Sequence, residues 1–297
     1  MASALTREGA RVHAAPSPQT RRQRLRLRWL VISIVMWVIG IIFVLPFVWM
    51  IVSSFKRSID VFSLPVRWIP DPFTWANYIE VWTGAHPLTL YFGNSLLVTG
   101  ARVIGELFTS SLAAYGFARL RFRGRDGLFF LYISTLIVPF QLLLVPRFML
   151  FQQLGIYDTL WALILPGIFT AFGTFLLRQF FLTIPQELSD AARIDGASDW
   201  QIYWRIILPL SKPVLASLAI LAFVGSWNDY ETPLIMLTSD QNFTIPLGLT
   251  NYIDDSGGIN PSLIMAGAVS AVLPVVIMFM AMQRQFIQAL ARAGLKG

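Results

Sequence analysis

The chain has no cysteine and only two histidines, His13 and His86, in 297 residues. Without thiols there is no disulfide framework, no thiolate nucleophile and no cysteine-ligated metal. The histidines fall in a basic N-terminal stretch and in a loop, so no histidine metal site is expected. Charge is scarce as well. Asp, Glu, Lys and Arg make up 13% of the residues, about half the ~25% of an ordinary soluble domain. With 56% hydrophobic residues, the chain must find most of its solvent in lipid. The enzyme signatures GxxxxGK[ST], GxSxG and HExxH are missing, so no ATP hydrolysis through a P-loop of its own and no other catalytic residue is expected.

What is present is a series of long apolar runs. A membrane-spanning helix needs about 20 mostly apolar residues. Six segments meet that length, at about 29–52, 91–118, 128–146, 159–182, 213–238 and 263–283. The expectation is an all-α membrane protein in which residues 29–297 form one transmembrane domain. Residues 1–28 read as a basic, flexible tail. The first apolar run is far longer than a signal-peptide core and is read as a retained helix.

The net charge of +7 raises the question of nucleic acid, but its distribution follows membrane topology instead. Lys and Arg in the connections set orientation. Residues 1–28, 119–127, 178–212 and the tail from 284 hold 18 of them, whereas the opposite side holds 4. That imbalance predicts cytoplasmic ends for both termini and places the 183–212 loop on the same side. On the outer side, 72–83 ("PFTWANYIEVWT") reads either as an interfacial helix anchored by Trp75, Tyr78 and Trp82, or as an ordinary Pro-started helix. Ala114/Ala118, Gly167/Ala171 and Gly267/Ala271 have the small-xxx-small spacing that lets helices approach closely.

Ionisable groups at membrane depth mark interior or functional positions. Arg102 and Glu106 stand i, i+4 on the second segment, a spacing that permits an intramembrane ion pair; a place on a translocation path is the other reading. In "WNDYE", Trp227, Asn228, Asp229, Tyr230 and Glu231 are expected on the fifth segment. Aromatic faces beside amides and carboxylates suit sugars; helix packing or gating hydrogen bonds are the alternative.

Between the fourth and fifth segments lies "DAARIDGASDWQIYWRIILPLSKP", residues 190–213. Pro185 and early carboxylates favour a helix start, Gly196 permits a sharp turn, and Ser198 or Asp199 can cap a second helix. Trp200, Ile202, Tyr203, Trp204, Ile206 and Ile207 give that helix an apolar aspect that needs cover. The stretch resembles the EAA loop of permease subunits of ATP-binding-cassette importers, roughly EAA-x3-G-x9-I-x-LP. Asp190-Ala191-Ala192 is followed after three residues by Gly196, nine residues lead to Ile206, and Leu208-Pro209 closes the pattern. Asp190 in place of Glu is the one departure. "FVGSWNDYETPLIML", "FTIPLGLTNY" and "ALARAGLKG" also resemble carbohydrate importer permeases, especially the smaller partner of the maltose-type pair.

The resemblance implies a type I importer bundle of six helices with a cytoplasmic coupling helix, in a bacterial or archaeal cytoplasmic membrane. Asp190, Ala191, Ala192, Asp195, Gly196 and Ala197 would dock a separate ATPase. Trp227, Asn228, Asp229 and Glu231 would face the translocation path, and Asn251 and Tyr252 would meet a binding protein. The implied partners are a second, non-identical permease, an ATPase dimer that binds ATP and Mg, and an extracytoplasmic solute-binding protein; no nucleic acid is implied. The cargo would be a sugar or related polyol, with a glycerophosphodiester-like solute as the runner-up. An ion-driven secondary transporter is the alternative of a different class, which inverted repeats and interrupted helices would favour and the coupling-type loop argues against.

Overall fold

The computed structural model describes residues 18–253 and 260–294, with side chains described for 28–253 and 260–281. Two units divide the chain at Met50 and Ile51.

The first unit consists of most of α1 (Pro18–Ser54). Its large apolar side chains from Trp29 to Phe47 are exposed, as expected of a surface that meets lipid. The helix begins eleven residues earlier than the sequence reading, inside the stretch expected to be a flexible tail. Pro18 suits a first helical position, and the Arg, Gln and Leu of "RRQRLRLR" are good helix formers, so the basic segment continues the helix. Residues 1–17 lie outside the described residues.

The second unit holds eleven further principal helices: α2 (Ala76–Thr83), α3 (Leu88–Arg119), α4 (Arg125–Ser134), α5 (Leu144–Gln153), α6 (Leu160–Ile168), α7 (Ala171–Phe181), α8 (Gln186–Ile194), α9 (Asp199–Ile202), α10 (Lys212–Trp227), α11 (Glu231–Met236) and α12 (Pro261–Gly294). Turns and shorter helices, among them Ser58–Val61 and Ile245–Gly248, lie between them, and the described residues contain no strand. Among the described residues of both units, α1 included, four helical stretches are long and apolar enough to cross a membrane, or six if each of two bent pairs is one span.

The centre of this unit is α3, which packs against α6, α7 and α10, while α10 packs in turn on α12. At 1.5 Å per residue its 32 residues reach about 48 Å, longer than a ~30 Å hydrocarbon core. One core cluster gathers Ala114, Leu177, Phe181, Ile202, Tyr203 and Leu218 at one end of α3. A second joins Val98, Leu163 and Met236, and a third joins Leu88, Tyr91, Trp227 and Ile245 toward the other end. Ala114 and Ala118, two of the small residues singled out in the sequence, lie buried in the first cluster.

Three expected spans are interrupted. The third bends by 93° between Ile137 and Phe140, where Pro139 has no N–H to continue the ladder. The fourth breaks at Phe169–Thr170, and Thr170 then caps α7 by accepting a hydrogen bond from Gly173 N. The fifth segment, expected as one helix over 213–238, stops at Trp227, and the chain restarts as α11 at Glu231. Asp229 accounts for that break: its Oδ1 accepts the Thr232 N–H at 3.1 Å and caps the new helix from outside it.

On the other face, α2 is shorter than the predicted 72–83. Of the three expected aromatic anchors only Trp75 is exposed. Tyr78 OH lies 2.8 Å from Ser54 Oγ, and Trp82 Nε1 donates to Ser270 Oγ at 3.3 Å.

Candidate functional site

Three polar clusters lie along α3, one toward each end and one midway. The first is the 183–212 loop. Helix α8 opens after Pro185 with Glu187 in its first turn and Arg193 in its last, both favourable to the helix dipole. It ends in a Schellman motif: Gly196 N–H donates to Arg193 O at 3.0 Å and Ala197 N–H to Ala192 O at 2.9 Å. This closure requires a left-handed residue, and Gly196 has φ +84°. The chain then re-enters α9 through a capping box, with Gln201 N–H donating to Ser198 Oγ and Ser198 N–H to Gln201 Oε1. Arg193 ties the two helices across the turn, donating to Asp190 Oδ1 at 3.0 Å and Asp199 Oδ1 at 2.9 Å. The bond with Asp199 contributes most to holding this guanidinium above its ordinary pKa, against an opposing push from burial.

After α9 the helix loosens into a π turn, Tyr203–Ile207, just before Pro209. The widened turn accommodates a proline that an α-helical ladder would not. A 77° bend at Ser211 then leads into α10. Ala192 and Ala197 are partly buried and pack inward against the first core cluster. Asp190, Ala191, Asp195 and Gly196 face outward, beside an exposed apolar edge of Leu188, Ile194, Trp200 and Trp204. Ile194 is 87% exposed, an unfavourable position for isoleucine in a chain without partners.

One face of α3 grips this loop through residues that the sequence reading missed. Ser111 Oγ lies 2.7 Å from Tyr203 OH, and Tyr115 OH donates to Asp199 O at 3.0 Å. Buried Arg119 donates to Gln186 Oε1 at 2.7 Å and to Phe181 O and Ile184 O, both at 2.6 Å. A cation on Phe181 O, the last carbonyl of α7, complements that helix's dipole. The 111, 115, 119 spacing, one position per turn on a single helix face, was the available signal.

The second cluster sits midway along α3, where the helix breaks meet. The predicted Arg102–Glu106 pair does not form. Arg102 Nη1 instead donates to Asp229 Oδ2 at 3.0 Å, and Glu106 Oε1 accepts from Thr170 Oγ1 at 2.6 Å. The cause is packing: the Arg102 side chain lies over Gly167 of α6, where a Cβ would meet Nε at 2.1 Å. That course carries the guanidinium to the start of α11 and away from its own helix. Around this pair, Asn228 and Glu231 are exposed, and Gln141 Nε2 approaches Glu231 Oε2 at 3.5 Å. Trp227 does not join them. It is buried, stacks on Phe223 with centroids 5.5 Å apart, and donates to Ala271 O at 2.9 Å, so in this arrangement it is a packing residue. Backbone outside regular helix is tolerated at membrane depth only where protein or a polar cavity satisfies it, and this cluster supplies such groups.

The third cluster lies toward the start of α3. Asn251 Nδ2 donates to Tyr91 OH at 2.8 Å and also to Asp240 Oδ1. Asn94 Nδ2 donates to Gln241 O and Phe243 O, fixing the 239–252 connection on the helix. Tyr252, expected to meet a binding protein, is buried and donates its hydroxyl to Val81 O and His86 O. Burial, together with the charges of Glu80 and Asp240, pushes its phenol up to about 12. Asn251 is half-buried. The neighbouring Asp158 accepts from Thr238 N, Ser239 N and Ser239 Oγ. Burial alone would raise this carboxyl; the hydrogen bonds outweigh it and hold it below the ordinary value.

No cluster of three or more His, Cys, Asp or Glu occurs among the described residues. What the arrangement offers is a set of broken helices gathered on one long helix, with polar groups at the breaks and an exposed helix–turn–helix at one end. A multi-pass all-α protein built this way has the fold of an importer permease. The same fold occurs in a chain of a bacterial ABC transporter involved in import of the acidic polysaccharide alginate, with a TM-score of 0.78 at 22% identity over 87% of this chain and 96% of that one.

Sequence comparison narrows the class. The chain is 38% identical to the arabinooligosaccharides transport system permease protein AraQ of Halalkalibacterium halodurans, over 91% of this chain and 97% of the relative. It is 33% identical to the probable ABC transporter permease protein YurM of Bacillus subtilis, over 92% and 91%. It is also 35% identical to the sn-glycerol-3-phosphate transport system permease protein UgpE of Yersinia enterocolitica, over 86% and 94%. Residues 106–292 match the family described as the binding-protein-dependent transport system inner membrane component. The chain belongs to that family.

Proposed function

We propose that this chain is the permease subunit of an ATP-driven importer that moves a sugar or related polyol across a bacterial or archaeal cytoplasmic membrane. An extracytoplasmic solute-binding protein delivers the cargo, and a second, non-identical permease completes the path. A separate ATPase dimer binds ATP and Mg and docks on the 183–212 loop, with both termini of this chain on the same cytoplasmic side. The observation that carries this reading is the loop itself. It presents Asp190, Ala191, Asp195 and Gly196 on a rigid, capped tip beside exposed Ile194 and Trp200, a surface that calls for a protein cover. The grip of Ser111, Tyr115 and Arg119 supplies a way for movement of that cover to reach α3 as a rigid-body displacement. At the helix breaks, Asn228 and Glu231 face outward with the donors and acceptors that cargo hydroxyls require.

The sugar assignment is supported by the arabinooligosaccharide permease among the relatives, and the sn-glycerol-3-phosphate permease supports a phosphorylated polyol as a second reading. Uptake into vesicles carrying the complete assembly tests both with labelled arabino-oligosaccharide and labelled sn-glycerol-3-phosphate. Uptake that requires internal ATP and favours the oligosaccharide is expected. Uptake that persists without ATP, or without any ATPase subunit, refutes the importer reading.

A further inference from the structure

Beside the coupling loop lies a cleft of about 510 Å³, walled on one side by Arg119, Arg121 and Phe122 and on the other by Gln186, Asp190, Arg193 and Asp199. Its cations are not equivalent. Arg193 is held by both aspartates, and Arg119 is buried and directed at Phe181 O and Ile184 O. Arg121 is exposed and makes no ion pair among the described residues. The lining carries three Arg against two Asp, so the cleft has an excess positive charge centred on Arg121. Phe122, 45% exposed, adds an apolar surface next to that charge. The cleft is also continuous with the proposed docking tip, because Asp190 belongs to both.

We infer that the ATPase docking surface extends beyond the loop onto the α3–α4 connection, with Arg121 and Phe122 receiving an acidic side chain of the ATPase subunit. This inference rests on the ATPase-docking reading above. The chemistry is that of an anchoring arginine: a planar fork matched to a carboxylate, beside an aromatic ring that excludes water. An anionic lipid headgroup meets the same charge, but the wall formed by Asp190 and Asp199 repels a phosphate and is part of the loop itself. A protein partner can place a single carboxylate on Arg121 and hydrogen-bond donors on the aspartates.

The test uses the complete co-expressed assembly, comparing wild type with Arg121→Gln, Arg121→Glu and Arg121→Lys. Retention of the ATPase on the purified permease pair is measured at rising salt, in nanodiscs of neutral lipid and of neutral lipid plus phosphatidylglycerol. Charge reversal places like charges together at an interface, so Arg121→Glu should weaken retention by about tenfold or more. Arg121→Gln should fall in between, Arg121→Lys should retain part of the affinity, and all should be independent of phosphatidylglycerol. Co-purification of the second permease confirms that each variant is folded. Wild-type retention in Arg121→Glu overturns the inference, as does a loss seen only when phosphatidylglycerol is present, which assigns the cleft to lipid. A wild-type assembly that retains no ATPase refutes the underlying docking reading as well, and so is distinguishable.

Discussion

Gly196 separates the backbone geometry of the 183–212 loop from its proposed docking role, which most substitutions would confound. Its φ of +84° is left-handed, a conformation that costs an ordinary L-residue roughly 1–2 kcal/mol, and asparagine less. No heavy atom lies within 4 Å of where its Cβ would stand, so alanine brings backbone strain and no clash. At 1.4 kcal/mol per tenfold, that strain lowers the ratio of correctly turned to unturned loops by about 5- to 30-fold. Gly196→Ala and Gly196→Arg carry similar strain, and Gly196→Asn carries less. They differ in what projects from the tip. If the tip is a docking surface, Gly196→Arg should abolish ATP-driven uptake and ATPase retention, while Gly196→Ala is impaired only as far as its strain requires. Thermal melting of the detergent-solubilised permease pair provides the control, with Ala and Arg variants expected to melt together and Asn nearer wild type. Uptake by Gly196→Arg equal to that of Gly196→Ala would show that the open space faces no partner and would sink the docking assignment.

A double-mutant cycle should give a coupling of about 1 kcal/mol or more between Arg102 and Asp229, and a smaller one between Arg102 and Glu106; the reverse order contradicts the pairing described here. Tyr115→Phe removes one hydrogen bond, worth about 1 kcal/mol, and should lower the ratio of uptake to ATP hydrolysis without releasing the ATPase. Arg119→Lys, which keeps the charge but loses the fork, should lower it further, and unchanged ratios in both variants would deny α3 a transmitting role. The depressed carboxyl of Asp158 contributes stability that is present above the ordinary aspartate pKa, about 3.9, and is lost as pH falls through the lower folded value. Melting temperature measured below about pH 4 should therefore drop less steeply in Asp158→Asn than in wild type; parallel curves would exclude Asp158 as the source.

Much of the fold was legible because its signals are local. The apolar runs at 29–52, 91–118 and 159–182 are properties of single segments, and α1, α3 and the α6–α7 pair follow them closely. The loop motif was legible for the same reason, since Gly196, Ser198 and Pro209 each act on backbone within one turn of themselves. What depends on another segment was not. The i, i+4 rule offered Glu106 to Arg102 and had no knowledge of Gly167, whose missing side chain opens the route to Asp229. Asp229 in turn ends the fifth helix early, so the error in pairing and the error in length have one origin. Tyr252 and Trp227 look like binding aromatics in sequence because burial is set by α2 and α12, which lie far away in the chain.

The π turn at Tyr203–Ile207 adds one residue to what would otherwise be a continuous helical winding. Since each residue of an α-helix advances by about 100°, the extra one sets the angular phase between everything before it and everything after it. Trp200 and Trp204 face outward, while Ile207 and Ser211 turn inward on the far side. Deleting one residue there would leave the composition of the loop almost unchanged, yet rotate its tip by about 100° relative to the span it adjoins. The segment therefore behaves as a length standard: its residue count, more than the identity of any one side chain, fixes which way the exposed edge points.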